Sequence, residues 1–294
     1  SDLYSCRIIP ERGSWVEMET SRRDQLGCRL DRSSKMPATL LIKTLHEDYA
    51  TDEAILKLFY PTDEIKFTEG TAAARLRDRI SAERVAVDDD EMEIVGAGEV
   101  ITDDKARQLA EAGVESIEVL PEDYDPLLLE TLDEDDSTDH RSAVKELYSR
   151  LRPGTPFNFE KARQTLWDKF FDPDRYQLGK VGRFRMNRKF DENLPEDHQT
   201  LRFQDVINAI GYIFKLRSGD GQVDDIDHLG NRRVRTIGEI CSDSLRRGFL
   251  RMRRTVEERV NLKDPSDFTP RSLVNSKSVS AAINYFFGRG DLSQ

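Results

Sequence analysis

Apolar positions alternate with polar ones over the first thirty residues and recur at helical spacing further on, which predicts a β-rich start followed by a mainly helical chain. Leu3 to Ile9 reads as a strand, Pro10 to Gly13 as a turn, Ser14 to Glu19 as a second strand and Leu26 to Leu30 as a third. The apolar run Ala38 to Leu45 leads to Thr51, which suits the cap of a short helix carrying Ile55, Leu56, Leu58 and Phe59. Further on, Glu93 to Ile101 reads as a strand bent at Gly96-Ala97-Gly98. Thr102 caps a helix that Gly113 ends, and Val114 to Leu120 returns as a strand, so a small α/β unit is expected here.

From Ser142 the period is helical. Ala143, Leu147 and Leu151 fall four apart and stop at Arg152-Pro153-Gly154, and a second helix carries Ala162, Leu166, Phe170 and Phe171. In Val181 to Phe190 cations interleave with aromatics, a strand-like reading that suits a face laid along a phosphate backbone. Residues 201–216 read as a helix with Phe203, Val206, Ile207, Ile210 and Ile213 inward. A long helix over about 234–260 places Leu245, Phe249, Met252, Val256 and Val260 on a core stripe. Its other faces hold Arg246, Arg247, Arg251, Arg253, Arg254 and Arg259, and a last helix spans about 280–287. The fold class is α+β.

Charge divides the 294 residues unevenly. Residues 61–140 hold 25 acidic against 7 basic side chains, while the remainder holds 38 basic against 31 acidic, although the whole chain is at -11. An acidic block joined to a basic remainder suggests a polyanion partner for the latter. The 3 cysteines, Cys6, Cys28 and Cys241, form no CxxC pair and fit a reducing, cytoplasmic setting. The 4 histidines form no metal-binding helix pair, so no metal ligands are expected. Asp133 to Asp136 offers adjacent carboxylates that read as a solvated loop; a stand-alone metal-dependent nuclease built on them is a remote alternative. No apolar run reaches the ~18 residues of a membrane span, so no membrane partner is expected. The chain starts at Ser1, not Met, and is expected to be a piece of a longer protein.

Ten successive residues, Asp224-Asp225-Ile226-Asp227-His228-Leu229-Gly230-Asn231-Arg232-Arg233, follow the Gly221 turn. This run resembles the DDIDHLGNRR motif of the bacterial RNA polymerase beta subunit. Ile8-Ile9-Pro10 with Arg12-Gly13-Ser14-Trp15, Leu30-Asp31-Arg32 with Pro37-Ala38-Thr39, Arg152-Pro153-Gly154, Arg175-Tyr176 with Val181-Gly182-Arg183, and Phe286-Phe287-Gly288 fall in the order that family shows. The acidic block departs from it and corresponds to a lineage-variable insertion at about 62–131.

The resemblance implies a lobe over residues 1–225 and the returning part of a protrusion over 226–294, without the protrusion's N-terminal half. It implies a noncatalytic portion of a DNA-directed RNA polymerase, a nucleotidyltransferase, that lines the DNA channel and contacts promoter and downstream DNA. Catalytic residues and cofactors are expected to be absent here, since in the family the aspartates and magnesium lie on the other large subunit. Ile226, Asp227 and Arg232 are similar to residues that line a pocket for a flipped nontemplate-strand base, where an acceptor such as Asp227 suits the donor edge of guanine. A turn brace on a neighbouring arginine is the other reading of Asp227. Arg152, Arg175 and Arg183 are similar to lobe arginines facing promoter DNA or sigma factor. Gln294 stands at the edge of the antibiotic-binding region. The partners implied are DNA, the beta prime and alpha subunits and sigma factor, in the cytoplasm at the nucleoid. A docking surface for transcription factors or sigma factor is the alternative role.

Overall fold

A computed structural model describes residues 2–67, 75–87 and 92–290, so Gln294 lies outside the described residues. The chain divides into two units, Ser1–Gln222 and Val223–Gln294.

The larger unit opens with four strands, β1 (Ser5–Ile8), β2 (Val16–Thr20), β3 (Leu26–Leu30) and β4 (Met36–Pro37), paired antiparallel in that order. The register sets Cys6 opposite Met18 and Met18 opposite Cys28, and β2 alternates buried Val16, Met18 and Thr20 with half-buried glutamates. Helix α1 (Ala38–Leu45) follows and is buried from Ala38 through Thr44, Lys43 included. The other elements of this core are arranged about it. Thr51 accepts the Ala54 N–H at 3.3 Å and starts α2 (Asp52–Phe59), as its cap chemistry predicts.

The chain then builds a second, separate core. Strand β5 (Asp63–Lys66) leaves, β6 (Val85–Val87) and β7 (Met92–Val95) form a bulged hairpin, and α3 (Asp103–Glu111) follows a Thr102 cap. Strand β8 (Ser116–Val119) returns antiparallel to β5, with Asp63 opposite Val119. Ile65, Ile94, Val95, Ile101, Leu109 and Ile117 fill this core. Its base is joined to the first one: Ile80, Ala82 and Leu120 are buried in the larger cluster. A polar clasp adds to that seam, with Lys57 of α2 held by Glu53 (3.0 Å), Glu83 (3.1 Å) and Glu118 (2.7 Å). Crossing the expected boundary at 131, α4 (Leu127–Asp133) buries Leu127 and Leu128 in the larger core, and its Thr131 hydroxyl accepts the Leu26 N–H at 2.7 Å.

Asp133, Glu134 and Asp136 are exposed where the chain leaves α4, as a solvated loop would have them, and Asp135 alone departs from that reading. The Asp135 side chain is 1% exposed and lies 3.3 Å from the fully buried Lys43 ammonium, which also donates to the Ser137 carbonyl at 2.5 Å. Together with Asp52, 2.8 Å from the same ammonium, this carboxylate supplies the opposite charge a buried lysine requires.

Helices α5 (His140–Leu151) and α6 (Phe159–Phe171) pack on α1 and on each other. The following segment corrects the sequence reading: it is helix α7 (Gly179–Phe190), not a strand. Positions 179, 183, 186 and 190 face inward at helical spacing, but position 183 is an arginine. The inward stripe is therefore invisible to a pattern that counts arginine as polar. Helix α8 (Phe203–Ser218) buries Val206, Ile207, Ala209, Ile210 and Ile213, and Gly219 ends it in the left-handed conformation at φ 86°.

The smaller unit holds a long helix α9 (Ile237–Leu262), a short α10 (Pro270–Leu273) and α11 (Lys277–Arg289). Helices α9 and α11 pack together through small residues. A Cβ added to Gly248 would lie 2.9 Å from the Ala282 Cβ and 3.3 Å from the Ser278 carbonyl oxygen. The expected core stripe on α9 holds in part: Leu245, Met252 and Val256 are half-buried, but Phe249 is 52% and Val260 40% exposed, and the buried residues are Ser244 and Gly248. Close backbone approach selected the glycine face over the phenylalanine face.

Candidate nucleic-acid interface

The residues singled out in the sequence fall into three places. Ile226, Asp227 and Arg232 share one exposed loop in the smaller unit. Arg152 and Arg175 share a cleft in the larger one. Arg183 lies in neither.

The loop is held by its own side chains. Asp225 accepts the Asp227 N–H on its carboxylate at 3.0 Å, and its carbonyl accepts from the Asn231 amide at 2.6 Å. A single turn of 3₁₀ helix, Leu229–Asn231, is capped by the His228 ring, which accepts the Gly230 N–H at 3.0 Å. Beyond it, Thr236 caps α9, Arg233 binds the Glu239 carboxylate at 2.9 and 3.0 Å, and Arg235 pairs with Asp243. Among the described residues, the Asp227 carboxylate accepts no hydrogen bond and the Arg232 guanidinium makes no ion pair. The turn-brace reading of Asp227 therefore has no bonded partner in this structure. Ile226, immediately before Asp227, is 80% exposed. A free acceptor, a free planar cation and an apolar side chain lie within seven residues of a loop whose other polar groups are engaged.

The cleft, of about 510 Å³, lies between the strand turns and helices α5 and α6. Arg32, Arg150, Arg152, Lys169 and Arg175 all line it. Some are matched within the protein: Lys169 reaches Asp31 at 2.9 Å, Arg150 reaches Glu146 at 2.7 Å, and Arg175 lies 3.4 to 3.5 Å from Asp172 and Asp168. Partial burial raises the Asp31 pKa, but Lys169 and the Trp15 N–H outweigh it and hold the carboxyl below its ordinary value. Arg32 and Arg152 make no ion pair among the described residues, leaving two guanidiniums available for phosphate oxygens. The sequence reading missed Arg32 and Lys169 as partners of Arg152. Asp31-Arg32 stood among the matched motifs, yet nothing local places it beside residue 152.

Arg183 is a correction. It is fully buried, with both Nη atoms 2.9 Å from the two Asp205 oxygens, Nε donating to the His198 carbonyl at 2.8 Å and Nη2 to that of Thr200 at 2.8 Å. A guanidinium so enclosed cannot face DNA. Its partner Asp205 also accepts from Arg202 at 2.8 Å. Burial favours the neutral acid, and the two arginines outweigh it to hold the Asp205 carboxyl below the usual carboxylate range.

Comparison with known proteins agrees with the motif. Residues 115–235 match the family model for RNA polymerase Rpb2, domain 2, which sets the chain among the large subunits of RNA polymerases. Over 99% of its length it is 47% identical to the DNA-directed RNA polymerase subunit beta of Rhodopirellula baltica, of which it covers 24%. It is 38% identical to that of Methylacidiphilum infernorum over 99% of the chain and 24% of the relative, and 38% identical to that of Leptospira biflexa over all of the chain and 25% of the relative. The chain belongs to the bacterial RNA polymerase beta-subunit family and spans about a quarter of the length of these curated relatives.

Proposed function

We propose that the chain serves DNA-directed transcription as a noncatalytic wall of the polymerase's DNA channel, the lobe over 1–225 and part of the protrusion over 226–294. In this reading the nucleotidyl transfer and its magnesium belong to the other large subunit. The chain's work is to hold promoter and downstream DNA beside the beta prime and alpha subunits and sigma factor. Arg32, Arg152 and Arg175 meet backbone phosphates in the cleft, which fixes position but carries no sequence information. Asp227 accepts hydrogen bonds from the Watson-Crick edge of an extruded nontemplate guanine, Ile226 packs on the base and Arg232 stacks on it or meets its phosphate.

The observation that carries this reading is the unpartnered, exposed Asp227 carboxylate in a loop whose neighbouring polar groups are bonded. In the assembled polymerase, Asp227→Ala is expected to cost roughly 1–3 kcal/mol for a guanine at the pocket position and little for other bases, as a lost bidentate contact does. Open-complex lifetimes on promoters differing only at that nontemplate base measure it. An equal loss for all four bases would make Asp227 a structural residue.

A second reading, a docking surface for sigma or another factor, draws on α7. There Phe184 is 51% and Val181 42% exposed, beside exposed Lys180 and Arg188 on a helix without a carboxylate. Phe184→Ser is expected to weaken factor binding and leave the base preference unchanged.

A further inference from the structure

The loop that carries Asp227 starts from a residue gripped on both of its backbone groups. Gln222 is the last residue of the larger unit. Its N–H donates to the Tyr212 hydroxyl oxygen at 3.1 Å, and the same hydroxyl donates to the Gln222 carbonyl at 3.0 Å. A third bond runs from the Lys189 ammonium to that carbonyl, also at 3.1 Å. The ammonium lies 4.2 Å from the centre of the Tyr212 ring, a cation-π distance, so the two gripping side chains also hold each other. Tyr212 comes from α8 and Lys189 from the end of α7.

Gln222 is exposed, so water would satisfy both its backbone groups without help. What the protein groups add is position. The preceding turn is built to the same end. Gly219 takes the left-handed conformation, and the Gly221 N–H returns to the Lys215 carbonyl at 2.8 Å. A Cβ at Gly221 would lie 3.0 Å from the Leu216 backbone nitrogen, so the turn packs against the end of α8. Upstream, Arg217 ties that helix end to Asp125 at 2.6 Å and to Asp24 at 2.8 Å. Downstream, the Asp225 carbonyl to Asn231 amide bond closes the loop on itself. Only Val223 and Asp224 separate the closed loop from the gripped residue.

We infer that Tyr212 and Lys189 are positioning residues for the base-reading loop, which they serve by anchoring Gln222, the residue from which it departs. The inference rests on the proposed role of Asp227, since a loop without a ligand needs no fixed origin. Neither residue belongs to the Asp224 to Arg233 motif, and neither touches the base in this scheme.

The test uses assembled polymerase carrying Tyr212→Phe, Lys189→Met, Lys189→Arg or Asp227→Ala, and the double variant Tyr212→Phe with Asp227→Ala. Two quantities are read: amide exchange at Gln222, and the ratio of open-complex lifetimes with guanine against the other bases at the nontemplate position. Tyr212→Phe removes both hydroxyl bonds to Gln222 and is expected to speed Gln222 exchange about tenfold or more and to lower the guanine ratio roughly three- to tenfold. Lys189→Arg, which can still donate to the carbonyl and stack on the ring, should keep most of both, and Lys189→Met should lose part of each. In the double variant the ratio should equal that of Asp227→Ala alone, because the grip acts through Asp227. Unchanged Gln222 exchange in Tyr212→Phe overturns the grip whatever the base ratio does. An unchanged guanine ratio in Tyr212→Phe, or an equal loss for all four bases, overturns the positioning role while Asp227→Ala still shows base dependence. If Asp227→Ala shows none, the base-pocket reading itself has failed and the positioning role falls with it.

Discussion

The two units treat the same side chain in opposite ways. In the larger one, Arg183 is placed in the middle of the packing and matched to Asp205 and two carbonyl groups. In the smaller one, α9 sends Arg246, Arg251, Arg253 and Arg254 outward, and its close contact runs through Ser244 and Gly248. The larger unit has enough surrounding backbone and side chain to supply a partner for each nitrogen of one buried guanidinium. The smaller unit is a helical hairpin, and it leaves Phe249, Leu250, Tyr285 and Phe287 at least half exposed. Enclosing a charge therefore demands a third layer of structure, and a two-helix contact can bury only side chains too small to separate its backbones.

Breaking the Arg183 pair is expected to have the largest effect. Arg183→Met leaves Asp205 without its bidentate partner and should cost about 3–5 kcal/mol, read as a drop in the larger unit's thermal transition. The contrast between the units would not survive if that transition stayed in place. The same pair sets an acid limit. The folded-state pKa of Asp205 lies below its unfolded value, so the pair's contribution is complete above the ordinary aspartate pKa of about 4 and is lost as pH falls through the lower, folded-state value. Asp205→Asn should accordingly be less stable at neutral pH and less sensitive to acid below about pH 4.

Gly248→Leu tests the smaller unit. The side chain would meet Ala282 and Ser278, so the α9 and α11 contact should weaken by about 1–3 kcal/mol while the larger unit's transition stays where it is. Helicity followed by circular dichroism, together with amide exchange in α11, separates the two. The smallest change is expected from Lys57→Gln at the seam between the two cores of the larger unit. That cluster is partly exposed, and its loss should cost about 1 kcal/mol or less, with a difference that shrinks in high salt. Faster exchange confined to β8 and the Glu83 turn is the signature.

Much of this architecture was legible wherever apolar side chains carry the period. The helices holding Leu147, Leu166 and Ile210, the Thr51 and Thr102 caps and the Gly113 stop follow from local chemistry alone. Where the period runs through a different residue type it was hidden. Position 183 is polar by any scale yet buried, so α7 reads as a strand; position 248 has no side chain, so Phe249 takes its place in the expected α9 stripe, while Leu245, Met252 and Val256 keep theirs. The binding residues divide in the same manner. Asp227 and Arg232 stand in a contiguous motif and could be named. Arg32 beside Arg152, and Tyr212 beside Gln222, are brought together only by the tertiary fold or by the return of a turn, and no spacing announces them.

The pairing of β5 with β8 has a consequence for how this chain can change in length. Asp63 and Val119 are direct partners across an antiparallel ladder, so the segment between them leaves and re-enters at a single doorway. Lengthening the far end of that segment moves neither doorpost, and each doubling of such a loop adds only about 0.6 kcal/mol of closure entropy. The distal turns of the second core are consequently where this protein can acquire or shed residues, or accept a fused tag, without disturbing the cleft or the helix ends that hold Gln222.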